Sequence, residues 1–303
     1  MPAFCVIGGA GLLAEAARVR GFDVPVVRVG SLAEAAAVFD RGLPVLGDLD
    51  GAYHPGVPDA DGARLALASL TEAARLTVTH EAAAIVTAPI AKSRLAEVGF
   101  RHPGQTEFVA EAAGIVPQDA VMMLAGPSLR TVPITVHVAL SQVPGLLSID
   151  VIVRRATIVA AALTRDFGLA HPRLAIAALN PHASEEGRMG DEEARIIAPA
   201  IAALQAAGID ATGPHPADAL FAPRSRAGFD VALCMYHDQA LIPLKALEFD
   251  SGVNITLGLP IVRTSPDHGT AFGIAGKGAA DVGATIAAIR MAGDCALHRA
   301  GGQ

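Results

Sequence analysis

The sequence predicts an α/β fold organised around a mostly parallel sheet, and three observations carry that prediction. Short apolar runs alternate with amphipathic helical stretches along almost all of the 303 residues, the pattern of βα units. Hydrophobic residues make up 52% but aromatic ones only 4%, with no Trp, so the core must be assembled from Ala, Val, Leu and Ile, which suits helices packed closely on a sheet. Several apolar runs end directly in polar residues, and parallel sheets hold their ligands just beyond the carboxyl ends of their strands.

The elements justify this in order. The opening MPAFCVIGGAGLL has no charged segment ahead of its apolar residues, so a secretory leader is not expected. A helix is expected from about Asp61, with Leu67, Leu70 and Ala74 on one face. The run Ala83 to Val86 reads as a strand followed by Thr87-Ala88-Pro89-Ile90-Ala91-Lys92. A second strand, Leu174 to Leu179, is followed by Asn180-Pro181-His182. Next comes a helix carrying Ile197, Ile201 and Leu204, introduced by Asp191-Glu192-Glu193, with Pro199 early and Gly208 as its cap. A third strand, Val231 to Tyr236, runs into His237-Asp238. A two-domain split is allowed by the length, and GIVPQ, Gly114 to Gln118, is the best candidate hinge.

Composition excludes several classes. A net charge of −7 and a pI of 5.8 leave no basic surface for nucleic acid, so an anionic ligand must be held by local groups. Mean hydropathy is +0.44, yet no run of eighteen uncharged apolar residues is present, and a soluble protein is expected. Cys5, Cys234 and Cys295 are odd in number and widely spaced, which points to a reducing cytoplasm rather than a disulfide framework or a thiolate zinc site. A GxSxG elbow, a GxGxxG turn and a Walker lysine are all missing.

Of ten histidines, His137, His182 and His237 follow or end apolar runs. Imidazoles joined by a carboxylate suit Zn²⁺ or a similar divalent ion, although the wide spacing matches no local metal motif, and a histidine hydrogen-bonded at a strand end is the plainer reading. Asp238 and Asp218 could orient imidazoles or move a proton, the plain alternative being a helix cap. Lys245 and Arg263 stand in apolar surroundings. Each must meet an anion or carry its head out to water along its aliphatic stem, and the second is the expectation from sequence alone.

The stretches HPGQTEFVAE (102–111), ALNPHASEEGRMGDEE (178–193), ADALF (217–221), MYHDQALIPLKAL (235–247) and GVNITLGLPIVRTSPDHGTAFGIAGKGAAD (252–281) together resemble the 4-hydroxythreonine-4-phosphate dehydrogenase family, the PdxA-type enzymes of pyridoxal phosphate synthesis. The resemblance covers most of the chain from about Ile85 onward. It implies two α/β/α domains like those of isocitrate and isopropylmalate dehydrogenases, with the site in the cleft between them and a partner subunit of a homodimer completing it. On this reading residues 1–115 with 262–303 form the dinucleotide side, and residues 116–261 carry the metal ligands and the dimer contact.

By motif, the resemblance implies one divalent cation (Zn, Co or Mg) on His137, His182 and His237. It implies substrate contacts at Gln105, Thr106, Lys245, Asn254 and Arg263, and catalytic roles for Asp238, Asp218 and Lys245. Asp267, His268, Gly269, Thr270 and Ala271 are similar to the NAD- or NADP-binding loop of those relatives. The implied reaction is metal-dependent oxidation of a phosphorylated hydroxy amino acid by NAD. Relatives acting on 4-phosphoerythronate or threonate phosphate, a metal-dependent hydrolase and a non-catalytic binding protein are the competing readings.

Two departures stand out. Position 105 is Gln where many members read GHTE, and an amide can hydrogen-bond a substrate but carries no charge. The family also opens with a strand and a GDPAGIGPE-like turn, and this chain starts after that point, for which a misassigned start is the expectation.

Overall fold

Glycines and capping side chains divide the chain into the expected alternation. The computed structural model describes residues 1 to 301. It begins β1 (Val6–Ile7), α1 (Ala10–Arg20), β2 (Val26–Val29), α2 (Leu32–Val38), β3 (Leu43–Leu46), α3 (Ala60–Val78), β4 (Ala84–Val86), α4 (Lys92–Glu97) and α5 (Gln105–Ala112). It continues β5 (Val121–Ala125), β6 (Arg130–Pro133), α6 (Val143–Leu146), α7 (Ile149–Phe167), β7 (Leu174–Ala177), α8 (Ala198–Ala206) and β8 (Ala211–His215). It closes α9 (Ala217–Leu220), α10 (Pro223–Arg226), β9 (Val231–Cys234), α11 (His237–Glu248), β10 (Val253–Leu257), β11 (Val262–Pro266) and α12 (Gly283–Gly301).

The contacts define two units. Unit 1 is Met1–Pro117 with Arg263–Gly293, and unit 2 is Gln118–Val262 with the chain end from Asp294. The sequence reading keeps 262–303 together; the contact units part that segment after Gly293.

In unit 1, three parallel strands lie in the order β1-β3-β2, with Val6 beside Val45 and Arg28 beside the same residue on the other side. Parallel neighbours need crossovers, and α1 and α2 supply them. Asp50 begins α1 from outside it: its carboxylate accepts from the N–H groups of Gly11 (2.7 Å) and Leu12 (2.9 Å) and meets Arg28 at 3.1 Å. Those backbone bonds hold its pKa below the usual carboxylate value. Asp59 caps α3 through Gly62 N–H at 2.7 Å, and the helix buries Leu70 and Ala74 of the face foreseen from the sequence, with Leu76 in addition, while Leu67 is only half-buried. Strand β4 lies beside β11, with Thr87 N–H donating to Thr264 at 3.0 Å.

Unit 2 contains six strands in the order β10-β5-β6-β9-β7-β8. The expectation of a mostly parallel sheet holds for β6, β9, β7 and β8, but β10-β5 and β5-β6 are antiparallel. The reason is local. Only residues 126–129 separate β5 from β6, and so short a connection can join antiparallel strands alone. Strands β7 and β9 are buried at every position, which is why they read as unbroken apolar runs.

Helix α7 covers this sheet with Ile152, Ala156, Val159 and Leu163, each fully buried, and each large aliphatic contributes about 1.5–3 kcal/mol of transfer energy. Ser148 caps it through Val151 N–H, and Gly168 ends it at φ 67°. Near its end, Asp166 is 2% exposed between Arg165 (2.7 Å) and Arg299 (2.7 Å), which anchors the last turns of α12. Among the described residues no helix is long and apolar enough to cross a membrane. Cys5, Cys234 and Cys295 are free thiols.

Candidate metal centre and anion site

Because β6, β9 and β7 are parallel neighbours, their carboxyl ends share one edge of the unit 2 sheet. His137, His237 and His182 follow those three ends, and strand order brings the first two, far apart in sequence, side by side. The rings of His137 and His237 lie 5.7 Å apart between centroids, tilted by 44°. His237 is the first residue of α11, where Tyr236 precedes it in extended conformation. Its Nδ1 lies 2.7 Å from Asp238 Oδ1. A carboxylate at that distance accepts the Nδ1 proton and leaves Nε2 with its lone pair available to a ligand.

His182 does not complete the pair. Among the described residues no three His, Cys, Asp or Glu side chains are gathered closely enough to hold an ion. His182 opens a run of five non-glycine residues with positive φ, through Ala183, Ser184, Glu185 and Glu186. Such backbone is unfavourable for L-residues and is kept by its surroundings. The end of β8 and α9 pack against this segment. Asp218 thus stands beside the His182 turn, exposed in the first turn of α9; the cap reading is incorrect, since Pro216 occupies the N-cap. His215, which the sequence reading passed over, meets Thr212 Oγ1 at 2.9 Å through Nε2, and burial lowers its pKa.

Two buried groups behind the histidines also escaped the sequence reading. Gln239 is 9% exposed, accepts from Met235 N–H and donates to Ala178 O, both at 2.7 Å. Glu193 accepts from the N–H groups of Leu179 (2.9 Å) and Asn180 (2.8 Å) and from Asn180 Nδ2 (3.0 Å). Burial alone would raise the Glu193 pKa, but these donors outweigh it and the net shift is downward. A signal was present in the capping pattern of Asp191-Glu192-Glu193, though its target was not. Elsewhere in unit 2, Lys245 Nζ lies 5.8 Å from the Phe249 ring centre, and Asn254 has a buried Oδ1 without a hydrogen-bond partner.

Unit 1 holds a different cluster. Arg263 is 4% exposed, so the expectation that its head reaches water is overturned. Its Nη2 donates to Thr87 Oγ1 at 2.9 Å and approaches Gln105 Oε1 at 3.5 Å, while Nη1 approaches Thr106 Oγ1 at 3.4 Å. Burial lowers its pKa to about 10, opposed by Glu107, and the guanidinium stays charged at neutral pH. Gln105 and Thr106 also open α5, whose first N–H groups favour anions. At Gly104 an added Cβ would lie 3.0 Å from Glu107 Oε2 and 3.6 Å from Lys92 Nζ, which brings a second cation to this loop.

Beyond β11, residues 267–271 leave the sheet as a loop in which His268, Gly269 and Ala271 are exposed and Asp267 and Thr270 half-buried: His268 Nδ1 lies 3.0 Å from Gly269 O, and Ala271 has φ 47°. Thr270 and Phe272 line a cavity of about 280 Å³ with Leu12, Tyr53, Ala66 and Ile90. Its wall is tight where the two loops meet. A Cβ on Gly56 (φ 79°) would stand 2.9 Å from Phe272 O, and one on Gly276 (φ 73°) 2.7 Å from Pro55.

The family model described as pyridoxal phosphate biosynthetic protein PdxA matches residues 1–292. A relative from Erythrobacter litoralis, named 4-hydroxythreonine-4-phosphate dehydrogenase, is 63% identical over 297 residues, covering 98% of this chain and 88% of that protein. A Zymomonas mobilis protein of the same name is 50% identical over 301 residues, 99% of this chain and 88% of its own. Among solved structures, the 4-hydroxythreonine-4-phosphate dehydrogenase of Klebsiella pneumoniae superposes with a TM-score of 0.84 at 36% identity, covering 96% of this chain and 88% of that one. An α/β scaffold shared with these proteins, with imidazoles paired at parallel strand ends, defines an enzyme of the dehydrogenase class. Within that class, the chain belongs to the PdxA family.

Proposed function

We propose that the protein oxidises 4-phosphooxy-L-threonine with NAD to 2-amino-3-oxo-4-phosphooxybutanoate, a β-keto acid that decarboxylates to 3-amino-2-oxopropyl phosphate, as a step of pyridoxal 5'-phosphate synthesis in the cytoplasm. NADP is the alternative acceptor. The observation that carries this reading is the pairing of His137 and His237 with Asp238 on the imidazole behind. Imidazole nitrogens suit a divalent cation such as Zn²⁺ or Co²⁺, with Mg²⁺ as the alternative, and Asp238 orients the His237 ring for it; His182, which stands apart from the pair, would have to approach it to serve as third ligand. When bound, that cation supplies Lewis acidity, which makes a secondary alcohol easier to deprotonate and so to oxidise.

The chain's own residues do the rest. Asp238 holds the His237 tautomer, and Asp218, exposed beside the His182 turn, is available to move a proton. For the anionic groups of the substrate the chain offers Gln105, Thr106 and Arg263 in unit 1, and Lys245 and Asn254 in unit 2. The burial of the Arg263 guanidinium supports its role with an anion, while the unpartnered Oδ1 of Asn254, an acceptor, suits a hydroxyl or ammonium group of the substrate. The loop Asp267 to Ala271 and the neighbouring cavity, with its apolar walls, suit the adenosine end of a dinucleotide.

A homodimer is part of the proposal. Val138, Leu140, Leu146, Ile242, Leu247 and Phe249 of unit 2 are all exposed, and Ile242 and Ala246 on α11 fall in line with Phe249 at its C-cap. One observation favours a second reading: Gln105 places a neutral amide beside Arg263, which leaves 4-phosphoerythronate or threonate phosphate as alternative substrates.

The test is the appearance of NADH from each candidate substrate, before and after chelator treatment. Turnover of the sugar acids alone would overturn the substrate assignment. Release of phosphate without reduction of NAD would make the protein a hydrolase.

A further inference from the structure

We propose that Gln239 is a positioning residue that sets the spacing of the histidine-bearing strand ends; the proposal rests on the metal reading above. The β9-β7 ladder ends at Leu233 beside Ile176, and the β9-β6 ladder ends at Cys234 beside Pro133. Past those pairs backbone bonds continue on the β6 side only as far as Ile134 to Cys234 O (2.7 Å) and Thr135 to Met235 O (3.3 Å), and the histidines follow two residues later. Gln239 replaces the missing rungs on one side. Its amide oxygen takes Met235 N–H, two residues before His237, and its NH₂ reaches Ala178 O, at the end of β7 on the path to His182.

Thr135 makes the matching tie on the other side. Its hydroxyl donates to Met235 O at 2.8 Å, and it stands two residues before His137. Met235 is therefore held from both directions, its N–H by the Gln239 side chain and its carbonyl by both the hydroxyl and the N–H (3.3 Å) of Thr135. The belt runs Thr135, Met235, Gln239, Ala178, every member at most 9% exposed, and Glu193 extends it by gripping Leu179 and Asn180.

The choice of glutamine follows from the chemistry. The span needs one acceptor at one end and one donor at the other, which a side-chain amide provides and neither glutamate nor methionine can. A buried amide contributes little net stability compared with an apolar residue of its size, but it imposes a distance that packing alone does not. Gln239 lies in the first turn of the helix that His237 begins, so the same contacts orient α11. Metal sites respond to this kind of support, because ligands must be held within about 0.5 Å of their working geometry.

The experiment uses the full chain freed of metal and titrated with Co²⁺, reading the visible ligand-field absorption and the dissociation constant. Wild type is compared with Gln239→Met, Gln239→Glu and Thr135→Val, and urea unfolding establishes which variants are folded. The expected result is Co²⁺ binding weakened about 10- to 100-fold with an altered absorption envelope in folded Gln239 variants, and a smaller change in Thr135→Val. Wild-type affinity and spectrum in folded Gln239→Met or Gln239→Glu would overturn the positioning role while leaving the metal reading intact. If both Gln239 variants fail to fold, Thr135→Val decides: an unchanged spectrum and affinity overturns the belt. Absence of Co²⁺ binding by the wild type would overturn the metal reading and this proposal with it.

Discussion

The guanidinium of Arg263 donates to the hydroxyl of Thr87 at 2.9 Å from a position 4% exposed, so a full positive charge is held inside unit 1, with the Glu107 carboxylate favouring its charged form. A charge held this way is poised for an anion. Replacing Arg263 by Met should raise KM for the phosphorylated substrate by roughly 10²-fold, and Lys should recover only part of the loss because it lacks the planar fork. Comparing phosphorylated and unphosphorylated substrates checks this: the two should become equally poor in the Met variant.

On the proposed metal reading, Asp238 acts through His237, whose Nδ1 it meets at 2.7 Å. In Asp238→Asn the tautomer of His237 is no longer enforced, and metal affinity should fall about 10- to 100-fold with the fold unchanged. Equilibrium dialysis against Zn²⁺ or Co²⁺ measures it, with His237→Ala as the more severe reference.

Asp166 is predicted to dominate the acid end of the stability curve. Burial would raise its pKa, but bonds from Arg165 and Arg299 outweigh it and leave the folded value depressed. A depressed folded pKa means stability that is present above the unfolded value of about 3.9 and is lost as pH falls through that value towards the folded one. Asp166→Asn should cost about 3–5 kcal/mol at neutral pH, since two cations lose their buried partner. Its midpoint in urea should also fall less steeply than that of wild type below about pH 4.

The cavity beside Thr270 makes its own prediction. Ala66→Phe places a ring in about 280 Å³ of otherwise open space. KM for the dinucleotide should rise about tenfold or more, with KM for the hydroxy acid unaltered, as read in two-substrate steady-state kinetics. An equal rise in both would show that the ring disturbs more than the cavity.

Much of the scaffold could be read directly. β7 and β9 are apolar at every position because both their faces are covered, and α3, expected from about Asp61, shows its buried stripe at Leu70 and Ala74. These are short-range patterns, fixed by periodicity and by which side chain can satisfy the next few N–H groups. The antiparallel half of the unit 2 sheet was not foreseen, although the short 126–129 connection contains its cause.

What the amino-acid order by itself determined is the set of elements, the family and the identity of the polar residues that end the strands. Tertiary structure alone decided their partners. Arg263 meets Thr87 across 176 positions of sequence, and Gln239 meets Ala178 across 61. A polar side chain in a helix looks solvent-bound until the strand order brings a carbonyl within reach of it. Likewise His137 and His237 became a pair because β6 and β9 are neighbours, while His182, next along the same edge, was held apart by its left-handed turn. Local sequence constrains backbone conformation over a few residues; which groups then share a site depends on strand order and packing summed over the whole chain.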